Sequence, residues 1–302
     1  MKRWILYLLF IMSTTCVSSA YASTLKVITT TEDLAGITKD IGRDYVEVFS
    51  LSRGNENPHY VPPKPSFLLK LRDADLLIAV GLELESGWLP ALVQKSRNPK
   101  IIEGSGYLDA SQGAIELLEK REKADRSEGD THPQGNPHYW LDPKNAHGMV
   151  RHIAQKLSEL LPAQKDYFEA GSKAFSKELS EREKTWDRIA QKFHGAKIVT
   201  YHKSWSYFAK RFGLKVVGTI EPKPGIPPSP AHLFDLQNVI RKTNARLIIV
   251  EPYFDSKLPT AVGGQTGIPV VILPTSTGGV KGADQYFDLI DYNLNQIQKV
   301  LQ

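Results

Sequence analysis

Hydrophobic positions along this chain follow two alternating periods. Residues 25–31 form a short β-branched run, and residues 33–41 carry apolar side chains at helical spacing. Residues 46–51 alternate as a strand does and run into the polar stretch from Arg53 to His59. Ser66 is placed to cap a helix over 67–73, and the unbroken apolar run 76–80, closed by Gly81, predicts a buried strand. Elements of these lengths in this order suit a parallel sheet with helices on both faces. Residues 100–103 offer a fourth strand. Residues 119–135 carry Asp125, Glu128, Asp130 and His132 among almost no apolar side chains, which predicts a charged surface loop. Asp142 and Pro143 then open an amphipathic helix to Leu161, with Ala146, Met149, Val150, Ile153, Ala154, Leu157 and Leu160 on its apolar stripe.

Pro162 interrupts that stripe. Residues 163–193 then hold helix-favouring, charged sequence with Tyr167, Phe168, Phe175, Leu179, Trp186 and Ile189 at helical intervals. At ~1.5 Å per residue a single helix there would be ~45 Å long, a stiff connector; the alternative is two shorter helices turning near Gly171. Beyond it the first half is repeated: strand 197–200, helix 204–212, strand 214–218, a proline cluster, helix 232–243 and strand 247–250. The clusters Pro62, Pro63, Pro65 and Pro227, Pro228, Pro230 each precede a helix of similar length. Duplication at this scale predicts an α/β protein of two similar lobes facing across a cleft, with mainly parallel sheets flanked by helices and joined by one long helix. The expected boundaries are 23–162 for the N-terminal lobe, 163–193 for the linker helix and 194–302 for the C-terminal lobe. A length of 302 residues fits this two-lobed division.

The N-terminus stands apart from that pattern. Lys2 and Arg3 precede an apolar run from Trp4 to Met12, and Ala20-Tyr21-Ala22 has the small residues of a cleavage site, so residues 1–22 read as a secretory signal peptide. The run is about half the ~20 residues that a membrane-spanning helix needs. Lipid attachment at Cys16 is disfavoured, because Ser13-Thr14-Thr15 lacks the leucine and small residues of a lipoprotein approach. Cleavage removes Cys16, the single cysteine, so any metal site must use nitrogen and oxygen. The net charge of +5 falls to +3 without Lys2 and Arg3, too modest an excess to indicate nucleic acid.

Three histidines lie where the duplicated topology points loops inward. His59 and His202 each follow a β-like run, and ligands of open α/β sheets sit beyond the carboxyl ends of strands. His138 lies between Pro137 and the Tyr139-Trp140 pair, just before a helix start. Each has a bland reading, as a solvated loop residue or a packed core histidine. Together, three neutral imidazoles and one oxygen form a tetrahedral set suited to Zn²⁺. The oxygen is open between Glu251, Asp255 and water, and Glu251 has a second possible role in orienting a histidine. His147 and His152 are five apart on one helix, about 140° around it, which excludes a shared metal and favours solvated side chains. His194 and His232 lie at helix ends. His132, beside Asp130, is a candidate for loose ion capture. A zinc hydrolase is the competing function, weakened by the absence of a His-Glu-x-x-His motif.

The chain resembles the metal-binding subunits of bacterial zinc/manganese ABC importers, the TroA-like periplasmic solute-binding proteins. The resemblance covers nearly the whole mature chain. It rests on Asn57-Pro58-His59, Gly81 to Glu85 with Trp88-Leu89, His138 to Pro143, Tyr201-His202 with Tyr207-Phe208-Ala209 and Phe212-Gly213-Leu214, Pro228-Ser229-Pro230, and Val250-Glu251-Pro252. It implies a metal held between two α/β lobes joined by one rigid helix, and delivery to an inner-membrane ABC permease by a monomeric periplasmic receptor. His59, His138 and His202 match the family's ligand positions. Histidine at the third is similar to zinc-type members, whereas manganese-type members, the alternative receptor, tend to carry glutamate there. Two departures stand out. The loop after the last strand, 271–279, lacks the aspartate that the family often supplies, and the histidine-rich loop of many zinc-type relatives is reduced to a short segment with His132.

Overall fold

Two four-stranded parallel sheets of identical order form the framework, as the repeat predicted. The structure is a computed structural model that describes residues 24–120, 129 and 132–302; the signal peptide, Cys16, Asp125, Glu128 and Asp130 lie outside the described residues. The first sheet runs β2-β1-β3-β4, with β1 Leu25–Thr29, β2 Val46–Ser50, β3 Leu76–Ala79 and β4 Tyr107–Asp109. The second runs β6-β5-β7-β8, with β5 Lys197–Thr200, β6 Lys215–Thr219, β7 Leu247–Val250 and β8 Val270–Ile272. β3 and β7 are buried at every residue, which is why both read as continuous apolar runs.

Helices fill the connections in matching order. The first lobe holds α1 Glu32–Gly42, α2 Pro65–Arg72, α3 Leu89–Ser96 and α4 Pro99–Ile102. α5 Pro143–Leu160 and α6 Lys165–Gln191 lead to the second lobe, which holds α7 Ser206–Phe212, α8 Pro230–Thr243, α9 Lys257–Thr266 and α10 Tyr286–Leu301. α2 and α8 superimpose in sequence as Pro65, Leu68, Leu71 and Pro230, Leu233, Leu236, each starting on a proline whose missing N–H is an orphan of the first turn anyway. Pro65 begins α2 one residue before Ser66, so Ser66 lies inside the helix and does not cap it; Lys64 is the cap residue and makes no side-chain bond there. Asp142 does cap α5, accepting from Lys144 N at 2.9 Å.

The expected strand over 100–103 is a helix. Asn98 accepts the Lys100 N–H and Pro99 occupies the first helical position, which nucleates α4 where an apolar pair alone suggested a strand. The fourth strand is β4, three residues on a different stretch. α6 is one continuous helix of 27 residues, ~40 Å long, without a turn at Gly171. It is more than a connector, since Phe168, Phe175, Leu179, Trp186 and Ala190 are buried in a core shared by both lobes. That core takes Val27, Leu76 and Ile78 from one sheet and Ile198, Leu247 and Ile249 from the other, because alternate strand residues point to opposite faces. The remaining faces carry separate cores, Ile28, Leu77 and Ala79 under α2 and α3, and Val199, Ile248 and Val250 under α8 and α9.

The lobes also meet backbone to backbone. A Cβ on Gly54, in the loop after β2, would stand 1.9 Å from Thr277 O and 2.5 Å from Gly279 N in the loop after β8. Neither atom can rotate away. Gly54→Ala is therefore expected to destabilise the metal-free protein by ~1–3 kcal/mol, the usual cost of overpacking. Urea denaturation reads it; a change within ~0.5 kcal/mol would mean that the inter-lobe contact yields freely.

Candidate metal centre

His59, His138 and His202 come together in the cleft. One ring nitrogen of each lies within 4.8 Å of the other two, and among the described residues this is the one group of three or more His, Cys, Asp or Glu side chains that converges so closely. His59 Nε2 and His138 Nε2 stand 3.3 Å apart. Two nitrogens at ~2.0–2.1 Å from a tetrahedral zinc ion would be about 3.3 Å apart, so the pair already has the spacing of coordinated imidazoles. All three residues are buried, so the donors face one another with little competing water.

Three different local devices set the rings. His59 lies in the loop between β2 and α2, where its N–H donates to Asn57 Oδ1 at 3.0 Å and Trp88 Nε1 pins the chain by donating to Pro58 O at 3.0 Å. His138 precedes a single 3-10 turn over residues 139–141; Asn136 Oδ1 accepts its N–H at 3.0 Å and faces its Nδ1 at 2.9 Å. His202 follows β5, with its Nδ1 at 2.7 Å from Glu221 Oε2 and its carbonyl taken by Thr200 Oγ1 at 2.8 Å. A carboxylate on Nδ1 leaves Nε2 as the free lone pair of that ring. Burial, and then the neighbouring imidazoles of His59 and His202, hold the His138 ring well below its ordinary pKa and favour its neutral form, the form in which an imidazole can bind a metal. Sequence reading missed Asn136 and Glu221. Asn136 had a signal, the repeated Asn-Pro-His of 57–59 and 136–138; Glu221 follows β6 as Glu251 follows β7, each before a proline.

The other candidates are placed elsewhere. Glu251 is fully buried outside the converging set; its Oε1 accepts from Ser204 Oγ at 2.7 Å and Trp205 Nε1 at 3.2 Å, and burial pushes its carboxyl up to about 7 against the opposing pull of His202. The carboxylate bonded to a histidine of the set is Glu221. Asp255 is exposed and accepts from Lys257 N at 2.9 Å. In the loop after β8, Ser276 Oγ donates to Asp33, and Thr277 donates to Asp33 Oδ1 through N at 2.9 Å and Oγ1 at 2.8 Å. Those hydroxyls are engaged in joining the lobes.

His132 stands beside the centre, its ring centroid 5.2 Å from that of His59. His147 and His152 are not the solvated side chains expected. His147 Nε2 meets Glu183 Oε2 at 3.3 Å against α6, and His152 is partly buried, which lowers its proton affinity. His194 packs over Gly213, and His232 Nε2 meets Thr219 O at 3.0 Å.

Comparison with known proteins gives a consistent result. The family model described as zinc-uptake complex component A periplasmic, ZnuA, matches residues 27–300. The metal ABC transporter substrate-binding lipoprotein FimA of Streptococcus parasanguinis is 29% identical, over 94% of this chain and 91% of its own. The high-affinity zinc uptake system protein ZnuA of Bacillus subtilis is 27% identical over 92% and 88%, and the manganese ABC transporter substrate-binding lipoprotein PsaA of Streptococcus mitis is 27% identical over 99% and 97%. A crystal structure of ZnuA superimposes with a TM-score of 0.78 at 26% identity, covering 93% of this chain and all of that one. The chain belongs to the zinc-uptake complex component A periplasmic family, the substrate-binding proteins of metal ABC transporters, and is not an enzyme.

Proposed function

We propose that this protein is a periplasmic zinc receptor, which binds Zn²⁺ through His59, His138 and His202 and delivers it to the permease of an ABC importer. In this reading residues 1–22 are removed on export, residues 23–162 and 194–302 are the metal-binding lobes, residues 163–193 join them, and the receptor acts as a monomer. The supporting observation is the convergence of three buried imidazole nitrogens within 4.8 Å, with no carboxylate of the described residues in the set. Such a nitrogen-rich set favours zinc over manganese, which prefers carboxylate and carbonyl oxygen, and it leaves the fourth position to water. The test is metal analysis of protein recovered from its native compartment, followed by competition of Mn²⁺ against bound Zn²⁺. Zinc at one equivalent that excess Mn²⁺ does not displace is expected; a manganese-loaded protein would place it with the manganese-type receptors.

Zinc requires all three imidazoles unprotonated. Histidine's reference pKa is ~6.5, so affinity is expected to fall as pH drops below about 6.5. The sign for His138 is explicit: its folded-state pKa is lowered, so its ring stays neutral to lower pH and its share of the proton competition starts later. Zinc titrations at a series of pH values read this directly, and a flat response through the acid range is incompatible with histidine ligation.

A further inference from the structure

Asn136 touches both sides of the cleft. It is buried at 5% exposure, and each polar atom of its amide has a defined partner. Oδ1 accepts the His138 backbone N–H at 3.0 Å, which only an oxygen can do. Nδ2 donates to Lys203 O at 2.8 Å, which only a nitrogen can do, and also lies 3.5 Å from Glu119 Oε2. The two ends of the amide are therefore assigned by chemistry. It follows that His138 Nδ1, facing Oδ1 at 2.9 Å, must carry the ring proton and donate it. The lone pair is thereby placed on Nε2, the atom 3.3 Å from His59 Nε2.

The far side of the same amide grips the other lobe. Lys203 is the residue after His202, so one side chain holds the ring of the second histidine and the backbone beside the third. The Asn136 carbonyl adds a second cross-lobe bond, accepting from Tyr207 Oη on α7 at 2.8 Å. Its backbone N–H donates to Leu118 O at 2.8 Å, and Tyr207 Oη accepts from Leu118 N at 2.8 Å, closing the group.

We infer that Asn136 is a positioning residue which couples the ligand tautomer of His138 to closure of the lobes. While the lobes are together, the bond to Lys203 O fixes the amide and the amide fixes the imidazole. When they part, Nδ2 loses its partner, only the His138 N–H still orients the amide, and His138 is held less firmly as an Nε2 ligand. Release of the metal is thus built into opening. The inference rests on the assignment of His138 as a ligand, but its first measurement needs no metal.

Two variants separate the arms. Asn136→Ala removes both, and Asn136→Asp keeps an oxygen toward His138 while setting a second oxygen against Lys203 O. Imidazole ¹⁵N shifts of the metal-free protein, at a pH where the ring is neutral, should report Nδ1–H at His138 in the wild type and in Asn136→Asp, and a mixture with Nε2–H in Asn136→Ala. Zinc affinity should fall ~10–100-fold in Asn136→Ala, as for loss of an outer partner of a ligand. Asn136→Asp should keep the tautomer yet release zinc about tenfold faster in a chelator chase, the loss of roughly one hydrogen bond. An unchanged tautomer in Asn136→Ala overturns the positioning role, and a wild-type release rate in Asn136→Asp overturns the coupling. Asn136→Leu, which is close in size and also removes both arms, serves if the alanine variant does not fold. A wild-type protein that binds no zinc would overturn the receptor reading and leave the metal-free tautomer result standing.

Discussion

Replacing His138 by alanine is expected to abolish stoichiometric zinc binding. Loss of an outer partner of a ligand typically costs ~10–100-fold in affinity, and loss of a ligand itself should exceed about a hundredfold. Each tenfold is ~1.4 kcal/mol, so at saturating zinc the variant gives up about 2.8 kcal/mol or more of metal-dependent stabilisation. The substitution leaves the local fold supported, since the backbone N–H at 138 still donates to Asn136 Oδ1 and Asp142 still caps α5. His59→Ala and His202→Ala should behave alike, because a site with two imidazoles is the same poor site whichever one is missing. His152→Ala provides the contrast: that ring lies on α5 outside the converging set and its loss should leave zinc stoichiometry at one. Calorimetric titration and metal content after dialysis distinguish these outcomes. Retention of tight zinc by any of the three single variants would remove that histidine from the site.

How far the sequence could be read depended on how local each determinant was. The duplicated α/β architecture was legible because its signals are short-range: proline starts of α2 and α8, and unbroken apolar runs at β3 and β7. The fourth strand was not, because Ile101 and Ile102 form an apolar pair too short to show a period, while β4 buries only Leu108 fully among its three residues. α6 was placed correctly but undervalued, since its charged face hid that its apolar stripe closes a core common to both lobes. The histidines could be picked out from residue type and position at loop starts. Glu221 carries the same Glu-Pro pattern after a strand as Glu251, but its pairing with His202 could not be read, because the bond spans 19 residues and depends on how β5 and β6 pair. The contacts of Asp33 with Ser276 and Thr277 cross more than 240 residues and had no sequence signal.

Those Asp33 contacts set up the second large effect. Asp33 lies in the first turn of α1, is 1% exposed, and reaches into the loop after β8 to receive the Ser276 hydroxyl and both donors of Thr277. Trp140 Nε1 donates to Thr275 O at 2.8 Å in the same loop, so this clamp also steadies the segment that carries His138. Asp33→Ala leaves the Thr277 N–H buried without its acceptor and opens a cavity, while the two hydroxyls can rotate; the sum is about 2–4 kcal/mol. Asp33→Asn should cost less than ~1 kcal/mol. Its carbonyl can take both Thr277 donors, and its amide can donate to Ser276 Oγ, which turns from donor to acceptor. The pH dependence has a definite sign. Burial, opposed by the Ser276 and Thr277 hydrogen bonds, raises this carboxyl above its ordinary 3.8. Its contribution to stability is therefore full below 3.8 and declines as pH rises through the folded-state value, because the unfolded chain ionises first. Asp33→Asn lacks that slope, so it should gain on the wild type as pH rises from the acid side. Urea denaturation of the metal-free proteins across pH tests both claims at once; an asparagine variant as damaged as the alanine one would show that the ionised carboxylate itself holds the lobes together.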